Sequence, residues 1–100
     1  MSKLETDIED DLLDYGKTLG YVCYKFVSPG NRGVPDRIFI NRNGITLFIE
    51  LKRRGKVPSR NQDRQIRKIK GQLAPCFVVD NLEFGCQVLD AWRDRVDPRM

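Results

Sequence analysis

Three side chains in the middle of this 100-residue chain have types and spacing suited to hydrolysis of a charged ester: Asp36, after Gly33-Val34-Pro35, and Glu50 and Lys52 within Ile49-Glu50-Leu51-Lys52. Two carboxylates offer hard oxygen ligands for Mg²⁺, with Mn²⁺ as a substitute, and the backbone carbonyl of Leu51 is a further candidate ligand. Such sites leave coordination positions to water and to substrate phosphate. An amine on a flexible stem beside them, Lys52, can orient water and neutralise charge developing on the phosphate. Together they are the raw material of metal-dependent phosphodiester hydrolysis.

The elements around them must bring the three together. Residues of a strand alternate faces, so Glu50 and Lys52 point one way and Leu51 the other. Whether Asp36 joins them depends on the turn at Asn43-Gly44. A two-residue loop sets Asp36 opposite Leu51, whereas a three-residue loop, Arg42-Asn43-Gly44 with Gly44 in the left-handed conformation, sets Asp36 opposite Glu50. The three-residue loop is expected. Carboxylates opposed across a ladder repel each other, which makes sense when a cation sits between them.

The hairpin, residues 36–52, alternates apolar positions on both faces: Ile38, Ile40 and Phe48 on one, Phe39, Ile45, Leu47, Ile49 and Leu51 on the other. This is the pattern of a central part of a mixed sheet covered by helices. Leu4, Ile8, Leu12, Tyr15 and Leu19 recur at helical spacing before Gly20, predicting an amphipathic helix over 3–19. Residues 21–27 read as a strand and Ser28–Gly33 as a connecting loop. A basic loop from Arg53 leads into a helix over 60–73, with Ile66, Ile69 and Leu73 buried. Cys76–Asp80 reads as a buried strand, and a last helix from Asn81 carries Leu82, Val88, Leu89 and Trp92 inward, with Pro98 ending it. Ser2-x-x-Glu5, Thr6-x-x-Glu9 and Ser59-x-x-Gln62 all fit the capping box, so Glu5, Glu9 and Gln62 have a structural reading beside any role in chemistry.

Composition bounds the chemistry further. The chain has no histidine, which excludes a histidine general base, the zinc deaminase signature and the hydrolase triads. Hydrolysis must then run through carboxylates, lysine and water on a metal. The net charge of +4 conceals segregation: residues 1–20 carry a net −4, residues 21–75 a net +10 and residues 76–100 a net −2. A basic middle between acidic ends suits a polyanion-binding face. Three unpaired-looking cysteines, Cys23, Cys76 and Cys86, suggest neither a disulfide framework nor a zinc site and fit a reducing cytosol. No apolar run is long enough to span a membrane and the acidic N-terminus is unlike a signal peptide. One α/β domain over 1–100 is expected, with a mixed central sheet and flanking helices.

The ordered motifs resemble a known family. Pro35-Asp36 followed by Glu50-Leu51-Lys52, fourteen residues after the aspartate, resembles the signature of the PD-(D/E)xK nuclease superfamily, whose core is restriction-endonuclease-like. The finer pattern is similar to the virus-type replication-repair nuclease (VRR-NUC) domain: Glu5-Thr6-Asp7-Ile8, Lys25-Phe26, Ser28-Pro29-Gly30, Arg32 to Asp36, Phe48 to Lys52, then Pro58-Ser59 and Gln62. The resemblance covers residues 5–80. It implies metal ligation by Asp36 and Glu50, a catalytic Lys52, a site residue at Gln62 and an acid, Glu5, from the first helix that also reaches the metal. Glu9, one turn on, is the alternative to Glu5. Small stand-alone members, phage ones especially, resemble Holliday junction resolvases, which implies branched DNA as substrate and the host cytosol as location if the chain is phage-encoded.

The bases nearest these elements, Lys25, Arg32, Arg37, Arg53, Arg54, Lys56 and Arg60, are the expected DNA contacts, gripping the backbone without reading sequence. The function expected is that of a Mg²⁺-dependent, structure-specific DNA endonuclease of the resolvase type. Flap or other branched-DNA repair cleavage is the alternative, as is a non-catalytic DNA-binding module on the same fold. Cutting two strands related by a two-fold axis with one Asp36, Glu50 and Lys52 set per chain points to a homodimer. Leu13, Tyr15, Phe84 and Trp92 are its candidate contacts.

Overall fold

A computed structural model describes residues 5–98; the expected helix start at residue 3, the apolar Leu4 and the Ser2 cap lie outside them. In chain order the elements are α1 (Glu5–Thr18), β1 (Val22–Lys25), β2 (Arg37–Ile40), β3 (Thr46–Leu51), α2 (Arg60–Gly71), β4 (Cys76–Val79) and α3 (Leu82–Trp92). The strands form one sheet in the order β1-β2-β3-β4, antiparallel except for the parallel β3–β4 pair. A parallel pair needs a crossover connection, and α2 provides it. This is the mixed sheet with flanking helices that the alternating pattern predicts.

Alternation divides the sheet into a closed face and a partly open one. Phe39, Leu47, Ile49, Leu51 and Val79 share one face and form the core with Ile8 and Leu12 of α1 and Val88 and Leu89 of α3. Their near-complete burial supplies most of the hydrophobic stabilisation, about 1.5–3 kcal/mol per large side chain. Ile38, Ile40, Phe48 and Glu50 occupy the other face, and α2 packs against β4 with Ile66 buried. The edge strand β1 leaves Val22 and Tyr24 exposed.

The hairpin closes as a three-residue loop. Asn41 N donates to Ile45 O and Gly44 N to Asn41 O, with Gly44 at φ +81°. That positive φ suits glycine and gives the register Arg37–Ile49, Ile38–Phe48 and Phe39–Leu47. Continued by one residue, it sets Asp36 opposite Glu50.

Two helices are shorter than their apolar patterns predict. α2 stops at Gly71, and Leu73, expected in its buried stripe, takes φ +62° and is 87% exposed. Its N–H bonds back to Lys70 O, so the residue closes the helix end instead of extending it. α3 ends at Trp92, six residues before Pro98. Asn41 Nδ2 donates to Trp92 O at 2.8 Å and to Arg95 O at 3.0 Å, and Asn43 Nδ2 donates to Asp94 O and Arg95 O. Hairpin side chains thus take up carbonyls at the helix end. The candidate dimer contacts are mostly internal. Leu13, Tyr15 and Trp92 pack against the core cluster, and the Tyr15 hydroxyl donates to Asp90 Oδ1. Phe84 remains exposed.

Candidate active site

Asp36 stands at the head of β2, where its own backbone carbonyl accepts from Phe26 N at 2.9 Å. Its Oδ2 accepts from Leu51 N at 2.8 Å. Because N–H and C=O of one strand residue leave the strand on the same side, the Leu51 carbonyl is also turned toward β2 and Asp36. The carboxylate therefore extends the ladder by one bond just before β2 begins.

Glu50 is the unusual member. It is 1% exposed and neither side-chain oxygen has a hydrogen-bond donor. Lys52 Nζ lies 3.3 Å from Glu50 Oε2 as an ion pair, without the alignment of a hydrogen bond. Burial, then the neighbouring negative charge of Asp36, push the Glu50 carboxyl up to about 7, against the opposing pull of Lys52. Buried carboxylates are normally satisfied by donors or charges. Two orphaned oxygens opposite a second carboxylate leave room in the polar accounting for one more cation. Asp36, Glu50 and the Leu51 carbonyl are hard donors of the kind Mg²⁺ prefers, so the donor set fits such an ion.

The loop before Asp36 is locked onto α2. Gly33 has φ +87°, and a Cβ there would sit 2.6–2.7 Å from backbone atoms of Asn61 and Gln62, which only glycine avoids. That contact carries the N-terminus of α2 to the run leading into Asp36. Gln62 occupies this position as a cap: its Oε1 accepts from Ser59 N at 2.8 Å while Ser59 Oγ accepts from Gln62 N at 3.2 Å. The capping reading of Gln62 is observed, beside whatever its amide nitrogen can add.

The first helix resolves the choice between its acids in part. Glu9 Oε2 accepts from Arg37 Nε at 2.7 Å, with both side chains largely buried. Arg37 lies on the strand face opposite Asp36 and Glu50, so this expected DNA contact instead ties β2 to α1. Glu9 is engaged there, and Glu5 stands half-buried at the first residue of α1. Among the described residues no third carboxylate converges with Asp36 and Glu50, so Glu5 is not brought to the pair.

The remaining expected bases sort by element. Lys25 lies on β1 opposite Arg37 in the register. Arg53, Arg54 and Lys56 are exposed in the loop directly after Lys52, and Arg60 is exposed at the start of α2. The loop is pinned by Gly55 N donating to Asp80 Oδ2 at 3.1 Å, and that amide helps hold the Asp80 carboxyl below the usual carboxylate range. Arg32 lines a cleft with residues of α2 that the sequence analysis did not single out. Their spacing, Asn61, Arg64, Gln65 and Lys68, is one helical stripe and was the available signal.

Comparison with known proteins agrees with this fold. No protein-family model matches the chain. It is 44% identical over 77 residues to "Putative nuclease p44" of Acyrthosiphon pisum secondary endosymbiont phage 1, covering 77% of this chain and 83% of that protein. Among solved structures it is similar to one described as a VRR_NUC domain, with a TM-score of 0.81 at 22% identity over 88% of this chain and 96% of the other. A second, described as a VRR_NUC domain protein, has a TM-score of 0.75 at 15% identity over 90% of this chain and 88% of the other. None of the helices among the described residues is long and apolar enough to cross a membrane. The chain thus has the fold of the VRR-NUC domain and belongs to the same family as the phage protein named "Putative nuclease p44".

Proposed function

We propose that this protein is a Mg²⁺-dependent endonuclease that hydrolyses phosphodiester bonds in branched DNA, in the manner of a junction resolvase. The observation that carries the reading is Glu50, buried with both oxygens unsatisfied, opposite Asp36 and 3.3 Å from Lys52 Nζ. Asp36, Glu50 and the Leu51 carbonyl would hold the ion, with Glu5 joining if the start of α1 moves toward them. The chemistry such an ion would supply there is positive charge at the phosphate and a more nucleophilic water. Lys52, only 16% exposed, keeps its ammonium beside Glu50, where it orients the attacking water and offsets charge developing on the phosphate. Gln62, on the helix end fastened to Gly33, positions that end beside the site. Arg53, Arg54, Lys56 and Arg60 follow the catalytic strand directly and give the DNA backbone a sequence-independent grip.

Resolving a four-way junction takes two symmetric incisions, and we propose a homodimer as the acting form. With Leu13, Tyr15 and Trp92 packed inward, Phe84 and the exposed Val22 and Tyr24 of β1 are among the exposed apolar side chains available for such a contact, along with Val27, Val57, Leu73 and Val96.

Incubation with labelled four-way junctions, flaps and linear duplex, in Mg²⁺, in Mn²⁺ and in EDTA, tests the reading. Metal-dependent cutting of the four-way junction in preference to the duplex is expected, with light scattering reporting a dimer. A monomer that cuts flaps and leaves junctions whole would overturn the resolvase part alone. Binding without any cutting in either metal would make the chain a DNA-binding module.

A further inference from the structure

A polar cleft of about 380 Å³ opens beside the Gly33–α2 contact. Arg32 of the 28–33 loop forms one wall with Asn31; Asn61, Arg64, Gln65 and Lys68 of α2 form the other. Its lining is three cations and three side-chain amides, with no carboxylate. The nearby acid, Asp63, does not serve it, because Asp63 Oδ2 is taken by Arg67 Nε at 2.9 Å one turn along the helix. Among the described residues no carboxylate pairs with Arg32, Arg64 or Lys68. Three like charges converging on one concavity repel one another, and an anion seated between them removes that cost.

Both walls are fixed in advance. Asn31 N donates to Ser28 O and Asn31 Nδ2 to Ser28 Oγ at 2.8 Å, so the loop is folded on itself where it presents Arg32. Gly33, next in the chain, is pressed on the α2 backbone at Asn61 and Gln62. The α2 stripe is held by the buried Ile66 on the opposite side of the helix. From Gly33 to Asp36 three residues can span at most about 11 Å, and a duplex rises about 3.4 Å per base step. The cleft is therefore within a few nucleotides of the carboxylate pair along one bound strand.

We propose that this cleft is a phosphate-binding subsite: Arg32, Arg64 and Lys68 seat a backbone phosphate a few nucleotides from the scissile one. The proposal rests on the nucleic-acid reading of the protein but adds a contact surface distinct from the basic loop after Lys52. It makes the direction in which the duplex leaves the catalytic carboxylates run across α2 and the 28–33 loop.

The test is equilibrium binding of the full chain to a labelled four-way junction and to linear duplex in EDTA, over a series of salt concentrations. The double variant Arg64→Ala/Lys68→Ala is expected to reduce the log–log salt slope by about 1.5–2. Arg32→Ala, on the other wall, is expected to reduce it by about 1. Arg67→Ala, on the same helix but engaged with Asp63, is expected to leave it within error of the parent, and thermal melts establish that all variants are folded. A double variant with the parental slope overturns the proposal. So does a cleft that binds inorganic phosphate in a titration while its loss leaves DNA affinity unchanged. Because the measurement needs no cutting, failure of the parent to cleave any DNA would sink the nuclease reading without deciding this one.

Discussion

The two ends of the β2–β3 hairpin bury polar side chains to the same degree and treat them in opposite ways. At the turn, Asn41 is 4% exposed, and its amide makes four hydrogen bonds: two donated to Trp92 O and Arg95 O, two accepted from Asn43 N and Ile45 N. That exhausts the capacity of the group. At the open end Glu50 is 1% exposed and neither oxygen has a donor. A buried amide with every bond made fastens the loop to α3. A buried carboxylate left short, beside another carboxylate, weakens the metal-free protein, and such a feature persists where the missing partner arrives with function.

The largest expected effect breaks the open end. Lys52→Ala and Glu50→Gln should each lower single-turnover cleavage by at least about a hundredfold under saturating Mg²⁺, the usual scale for removing one charge-stabilising group. Junction binding in EDTA should be retained, since one side chain among many bases contributes little to affinity. In the same metal-free protein Glu50→Gln should raise stability to urea near neutral pH by about 1–3 kcal/mol, because burial and the neighbouring Asp36 outweigh the Lys52 ion pair in setting the cost of the Glu50 charge. Cleavage near the parental rate by either variant would show that these residues are not the catalytic set.

Asn41→Ala attacks the closed end and should do the reverse. Two carbonyls and two N–H groups lose their partner at once, at a cost of about 2–4 kcal/mol in denaturant unfolding. Cleavage by the folded fraction should match the parent. A loss below about 0.5 kcal/mol would mean that water replaces the amide without penalty.

The same contrast has a pH signature. The Glu50 carboxyl titrates near 7 when folded, against an ordinary value of 4.5. Between those values the unfolded chain binds fewer protons at this group than the folded one. Stability from this group is therefore complete below about 4.5 and falls as pH rises to about 7, by on the order of 3 kcal/mol in total. Other carboxylates contribute slopes of their own, so the quantity to measure is the difference between the parent and Glu50→Gln in EDTA. That difference should grow with pH across the window, and saturating Mg²⁺ should shrink it. A difference independent of pH would show Glu50 ionised throughout.

The open end was legible in the sequence because its determinants are local. Asn43-Gly44 sets the loop length, the loop sets the register, and strand alternation then brings Asp36, Glu50 and Lys52 to one face. Arg37 could have been placed by the same alternation, since it falls on the Phe39 face; reading charge alone assigned it to DNA. The closed end was not legible. Asn41 finds its carbonyls more than fifty residues further along, and nothing in an Asn-Arg-Asn-Gly run distinguishes an amide that caps a distant helix from an ordinary turn residue. Leu73 misled for a related reason. Its spacing from Ile66 and Ile69 fits a buried stripe, but the chain leaves the helix at Gly71 and places it in solvent.

Asn43 sharpens the comparison with the smallest expected effect. Its Nδ2 donates to Asp94 O at 3.0 Å and Arg95 O at 3.2 Å, much as Asn41 does to Trp92 O and Arg95 O, yet the bonds lie at the exposed rim of the same junction. Where water can reach the carbonyls, losing the amide leaves no buried group unsatisfied, so Asn43→Ala should cost only about 0.5–1 kcal/mol. The two asparagines share the Arg95 carbonyl, so their losses should not add. In the double variant the total should differ from the sum of the single losses by about 0.5 kcal/mol or more, as expected for residues in one network. Denaturant unfolding of the four proteins closes that cycle. Strict additivity would mean that the two amides act on the α3 terminus independently, and that burial of Asn41 alone, not a joint clasp, holds the turn end shut.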